Sequence, residues 1–167
     1  MKAKACTLAW TESLEALREA LRRDGRLVLK PTGRSMGRLY SNADAIVIEP
    51  PPTKPAPTGS VIVFSRRGQW IAHRVLCRFR RAGDVLYVTC GDAAGRLDGD
   101  LVAHRDLIGH VTEVRGPKGT VDLRSGRQRA VARARALRSL TAALLRHPAG
   151  TVRRLIESRR LTAAGRL

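Results

Sequence analysis

The sequence predicts a mainly β domain with a short helix before it and an arginine-rich helical extension after it. Three observations lead there. Between residues 27 and 123 the apolar residues fall into short runs bounded by Gly, Pro or Asp, the punctuation of strands. In residues 11–23, and again from Arg127, the apolar spacing changes to three and four, the period of a helix. Hydrophobic residues make up 43% of the 167 and aromatics only 4%, so the core must be largely aliphatic. This length fits one domain with an appendage and leaves no room for a second large domain.

Each element follows from local chemistry. Thr11 is placed to cap a helix over 11–23, with Glu12, Glu15 and Glu19 towards its N-terminal end. Leu14, Leu17 and Leu21 make its apolar face, and Asp24-Gly25 stops it. Strands are expected over 27–29, 45–48, 61–64, 69–79, 84–90, 107–114 and 119–123. In 69–79, Trp70, Ala72, Arg74 and Leu76 alternate with Ile71, His73, Val75, Cys77 and Phe79, which take the other face. Pro50, Pro51, Pro52, Pro55 and Pro57 make a stiff connection ending at Gly59. Residues 91–100 read as a turn-rich loop.

Beyond Arg127, the residues Val131, Ala134, Leu137, Leu140, Ala143 and Leu144 can share one helical face. His147–Gly150 breaks this helix, and a second basic helix over 151–161 presents Val152, Leu155 and Ile156. The expected division is a helical segment at 1–25, a β-domain at 26–124 and an arginine-rich helical extension at 125–167.

The formal net charge of +18 suggests a nucleic-acid binder, but its distribution argues otherwise. Residues 1–114 hold 18 basic and 12 acidic residues, whereas residues 115–167 hold 14 and 2. Two thirds of the excess belongs to the extension, and the β-domain is only mildly basic. Cys6, Cys77 and Cys90 contain no CxxC pair, so neither a zinc ribbon nor a disulfide framework is indicated and a reducing compartment is expected. No run of 18 apolar residues predicts a transmembrane helix, and no cofactor-binding motif is present.

Three segments could carry chemistry. Gly33-Arg34-Ser35-Met36-Gly37 puts a serine in a tight turn able to expose its hydroxyl and aim backbone N–H groups at an oxyanion. Ile71-Ala72-His73-Arg74-Val75 mounts a histidine on a strand, a rigid seat for a general base, with Arg74 on the opposite face, where it would cover the sheet. Thr89-Cys90-Gly91-Asp92, followed by Asp98, offers carboxylates to orient that histidine. Each segment taken alone is more simply read as an ordinary turn or a packed histidine.

Taken in order, Gly-x-Ser-Met, a strand with His-Arg-Val and a Thr-x-Gly-Asp loop with a further Asp resemble the S24/S26 serine peptidase superfamily. The nearest likeness is to the archaeal and eukaryotic-type signal peptidases. Asn42-Ala43-Asp44 before Ile46-Val47-Ile48, Gly59–Phe64, and Leu107-Ile108-Gly109-His110-Val111 extend it across residues 26–115. The resemblance implies a signal-peptidase/LexA-like β-fold and a serine endopeptidase with Ser35 as nucleophile, His73 as base and Asp98 as the acid. It implies Asp92 as a supporting acid and Gly33, Arg34 and Met36 as neighbours of the oxyanion site. The lysine base used elsewhere in the superfamily is excluded, because no lysine lies between Lys54 and Lys118. The family's usual proline two residues after the serine is Gly37 here, its Gly-Asp before the second strand is Ala43-Asp44, and its membrane anchor has no counterpart. The expected partner is a peptide or protein bound in extended form, and the expected location is cytoplasmic, with peripheral membrane association open.

Other readings compete. The fold could bind peptides without cutting them. The arginine-rich extension could meet an anionic membrane surface, an acidic partner or, less favoured, nucleic acid. A metal site drawn from His73, Cys77, Cys90, His104 and His110 lacks any compact ligand spacing.

Overall fold

The computed structural model describes residues 12–37, 40, 42–66, 68–94, 96–146 and 148. Helix α1, Glu12–Asp24, buries Leu17 and Leu21 and exposes Glu15, Arg18, Glu19, Arg22, Arg23 and Asp24. It ends where the Gly25 N–H donates to the Leu21 carbonyl at 3.0 Å. The proposed cap at Thr11 and the second basic helix at 151–161 lie outside the described residues.

Among the described residues eight strands follow: β1 Leu27–Leu29, β2 Ala45–Glu49, β3 Val61–Arg66, β4 Gln69–Arg81, β5 Asp84–Cys90, β6 Val102–Ala103, β7 Leu107–Gly116 and β8 Gly119–Asp122. They form one sheet in the order β1-β2-β7-β3-β4-β5-β6, with β8 also on β7. Every pairing is antiparallel. Helix α2, Gly126–Arg146, closes the described fold. The mainly β architecture with a helix at each end is thus as the sequence predicts.

The centre of the sheet is covered on both faces. Along β3, Val61 and Val63 join a cluster with Leu17, Leu21, Ile46 and Ile48, while Ile62 and Phe64 join Val75, Tyr87 and Leu107. Alternation therefore sends side chains into two different cores, and β3 reads as a continuous apolar run. The sequence missed β6, whose two residues carry too little pattern to register. It ended β4 at residue 79, two short of its end, because Arg80 and Arg81 look like a turn although they pair with Val85 and Asp84. A register shift between Val75 and Cys77 inserts an extra residue into β4. The strict alternation expected across 69–79 stops there, so His73 and Cys77 no longer share a face by simple parity.

The face of α2 is the clearest correction. The sequence selects Val131, Ala134, Leu137, Leu140, Ala143 and Leu144 as the buried stripe. The structure buries Ala136, Ser139 and Ala143 and leaves Val131 and Leu137 exposed. The reason is distance. A Cβ built on Gly59 would come within 2.8 Å of the Ala132 carbonyl carbon, so helix and loop touch backbone to backbone. So close an approach leaves no room for a large side chain at the contact itself, and Val131 and Leu137 turn outward. Farther along the helix, Ala136 and Leu140 pack on Leu76, Cys90 and Leu97. Gly59→Ala is therefore expected to destabilise the fold by about 2 kcal/mol, as overpacking does. Urea denaturation of the variant measures this, and an unchanged midpoint would show that α2 is not seated on Gly59.

Candidate active site

The site forms where β4 changes partners. Residues 69–74 of β4 pair with β3, with His73 opposite Ile62. Pairing with β5 begins only at Arg74, opposite Cys90. On the β5 side of His73 the ladder gives way to the loop after Cys90, and the Ser35 turn fits into that opening.

The turn is closed by the Gly37 N–H donating to the Arg34 carbonyl at 3.1 Å. Gly37 has φ +71°. Proline, fixed near −65° and without an N–H, could take neither role, which accounts for glycine at this position. The Ser35 carbonyl accepts the Ala93 N–H at 2.8 Å, tying the turn to the loop. Met36 is buried beneath, while Gly33, Arg34 and Ser35 face solvent.

The three side chains proposed for chemistry come together in sequence. His73 Nε2 lies 3.1 Å from Ser35 Oγ, and His73 Nδ1 lies 2.7 Å from Asp98 Oδ2. The carboxylate at Nδ1 fixes the proton there in the neutral ring and leaves the Nε2 lone pair for the serine O–H. Phe64 meets the ring edge-on, with centroids 6.3 Å apart, which restrains its rotation.

Asp98 is held from two directions. Its Oδ2 also accepts the Thr89 Oγ–H at 2.5 Å, and its own N–H donates to the Thr89 carbonyl at 2.9 Å. Burial pushes the Asp98 carboxyl up, but hydrogen bonds from His73 and Thr89, with the positive charge of Arg66, outweigh it and hold the group below the ordinary carboxylate range.

Asp92 does not approach the histidine. It takes both Nε and Nη2 of Arg74 at 2.6 Å, while Arg74 Nη1 donates to the Gly59 carbonyl at 2.6 Å. Arg74 is 3% exposed. The expectation that Arg74 merely covers the sheet is thus corrected: the bulge and the loop enclose it, and it anchors the loop that carries Asp98. Tyr40 lies beside it, and burial raises the phenol to about 12.

Two further contributors stand in the Thr-x-Gly-Asp segment, where the sequence assigns them no role of their own. Thr89, two residues before Gly91, is the one that holds Asp98. Gly91 is set by contact: a Cβ there would lie 2.6 Å from the Ser35 carbonyl oxygen and 3.0 Å from His73 Nε2. Only the absence of a side chain lets the loop press against the serine.

A groove of about 440 Å³ leads to this site. Leu29–Thr32 form one wall and Gln69–Ala72 another, with Ile46, Ile48 and Val63 between them. Among the described residues, β1 pairs only with β2, and residues 69–73 pair only with β3, so backbone edges face the groove.

The residues of the metal reading have other partners. His104 Nδ1 pairs with the Tyr87 hydroxyl at 2.7 Å, His110 Nδ1–H donates to the Pro50 carbonyl at 2.8 Å, and the Cys90 thiol donates to the Arg96 carbonyl at 2.9 Å. Burial, with the charges of Asp98 and Asp92, raises the Cys90 thiol to about 11. Among the described residues no three His, Cys, Asp or Glu side chains could hold a metal ion, and no helix is long and apolar enough to cross a membrane. Comparison with protein-family models, curated proteins and solved structures finds no match.

The depressed Asp98 carboxyl carries a pH signature. Its stabilising effect is full above the ordinary carboxylate range and is lost as pH falls through its lowered value. Asp98→Asn is expected to be less stable than the parent at neutral pH, with the gap closing in acid. Denaturant titration across that range checks this, and a constant gap would show that the carboxylate is not preferentially ionised in the fold.

Proposed function

We propose that this chain is a serine endopeptidase of the S24/S26 type, using Ser35, His73 and Asp98. The observation that carries the reading is the continuous chain of contacts from Ser35 Oγ through both nitrogens of His73 to Asp98 Oδ2. A serine hydroxyl is a weak nucleophile until a base removes its proton as it attacks.

In the proposed reaction His73 Nε2 accepts the Ser35 proton while Oγ bonds to the carbonyl carbon of a peptide. The resulting imidazolium is stabilised by Asp98, which stays ionised. The Ser35 N–H, in the turn with Gly33, Arg34 and Met36 around it, is the backbone donor proposed for the developing oxyanion. Collapse breaks the C–N bond, and His73 passes its proton to the departing amine. Water, deprotonated by the same nitrogen, then releases the acyl group from Ser35.

The substrate is proposed to enter extended, adding its backbone to the free edge at 69–73 or to the segment after β1. The groove's apolar lining favours apolar side chains along the bound stretch. Arg74, Asp92 and Thr89 act at one remove, by holding the loop in register with Ser35.

Digestion of a peptide library tests the reading. Ser35→Ala and His73→Ala are each expected to lower cleavage by at least about 10³-fold. Gly91→Ala is expected to cost at least about tenfold in kcat, because the added methyl must displace Ser35 or the His73 ring. Cleavage surviving intact in Ser35→Ala would refute the assignment, and saturable peptide binding without cleavage by the parent would replace it with a peptide-binding role.

A further inference from the structure

The outer face of α2 is a charged surface that the candidate site does not use. The helix carries Arg127, Arg129, Arg133, Arg135, Arg138 and Arg146 and no acidic residue. None of these arginines is ion-paired among the described residues, whereas neighbouring Arg124 reaches Glu49, Glu113 and Asp122. Between the arginines, apolar side chains stand in water: Leu137 is 68% exposed and Leu145 81%.

We propose that this face docks on an anionic lipid bilayer surface. Its 21 residues span about 30 Å at 1.5 Å per residue, and cationic and apolar side chains are interspersed along that length. Guanidinium groups take lipid phosphate and carboxylate oxygens, while leucines at the same level reach the acyl boundary. Nucleic acid would satisfy the arginines but leave the leucines in water, and the helix has no aromatic side chain to stack on bases. Cover by the rest of this chain is disfavoured by charge, because residues 147–167 carry five arginines against the single Glu157. An acidic protein would have to match charges distributed along an open helix rather than gathered in a cleft.

The placement has a consequence for the site. The inner face of the same helix packs on Leu76, Cys90 and Leu97, at the back of the loop that carries Asp92 and Asp98. Docking the outer face would therefore hold the peptidase site at a set position relative to the membrane.

Vesicle co-sedimentation of the full chain tests the proposal without reading cleavage. The parent is expected to pellet with phosphatidylcholine–phosphatidylserine vesicles, to release in high salt, and to stay in solution with phosphatidylcholine alone. Arg127→Ser/Arg133→Ser/Arg138→Ser is expected to weaken binding about a hundredfold. Leu137→Ser/Leu145→Ser, on exposed positions that leave the core intact, is expected to weaken it about tenfold. Circular dichroism of both variants should match the parent. No sedimentation with either vesicle, or equal sedimentation with both, would overturn the proposal. So would tighter retention on mixed-sequence DNA or an acidic polypeptide that ignores the leucine changes.

Discussion

Much of this structure depends on a single buried cation. Arg74 follows His73 on β4, yet its side chain runs to the opposite side of the strand and there binds both oxygens of Asp92 and the carbonyl of Gly59. A guanidinium this deeply enclosed is tolerable only when its donors are matched, because an unpaired buried charge would cost several kcal/mol. Burial opposes its charge, and the Asp92 hydrogen bond and charge more than offset that, holding the group protonated. The same three contacts join the strand that bears the proposed base, the loop that bears the proposed acid and the residue on which α2 rests.

From that anchor the site follows as a set of short tethers. Asp92 is fixed, so Ala93 is placed to hold the Ser35 carbonyl, and Gly91 leaves room for the serine to lie against His73. Farther along the loop, Thr89 takes Asp98 by both backbone and side chain. The Cys90 thiol closes the stretch between them on the Arg96 carbonyl. The loop has almost no regular structure, and these bonds substitute for a ladder in giving it one conformation.

The strands were legible because punctuation and alternation are local properties, and the central sheet is built from runs such as 61–64 and 84–90 that have few other options. The spacing of Ser35, His73 and Asp98 was legible only as a resemblance, since nothing local distinguishes a reactive serine from a turn serine. What local patterns could not carry was anything decided by distance across the fold. The inward face of α2 is an example: hydrophobicity favours Leu137, but the helix meets Gly59 backbone to backbone at Ala132, and Ala136, Ser139 and Ala143 are the residues that turn inward. Arg74 is another, because a polar residue on a strand reads as solvent-facing until the bulge and loop that enclose it are known. Gly37 is a third. In the sequence it is only a departure from the proline of the S24/S26 pattern, whereas the positive φ and the Arg34 carbonyl bond make glycine the residue that the turn requires.

The central claim is that His73 and Asp98 make Ser35 nucleophilic, and acyl trapping tests it most directly. On incubation with an activated aryl ester, the proposed chemistry would transfer the acyl group to Ser35 Oγ and release the phenolate, and intact-mass and tandem mass spectrometry locate any adduct. The account predicts one acyl group on Ser35, formed by the parent and strongly diminished in His73→Ala. An adduct on another residue, or one on Ser35 that forms equally fast without His73, would contradict it.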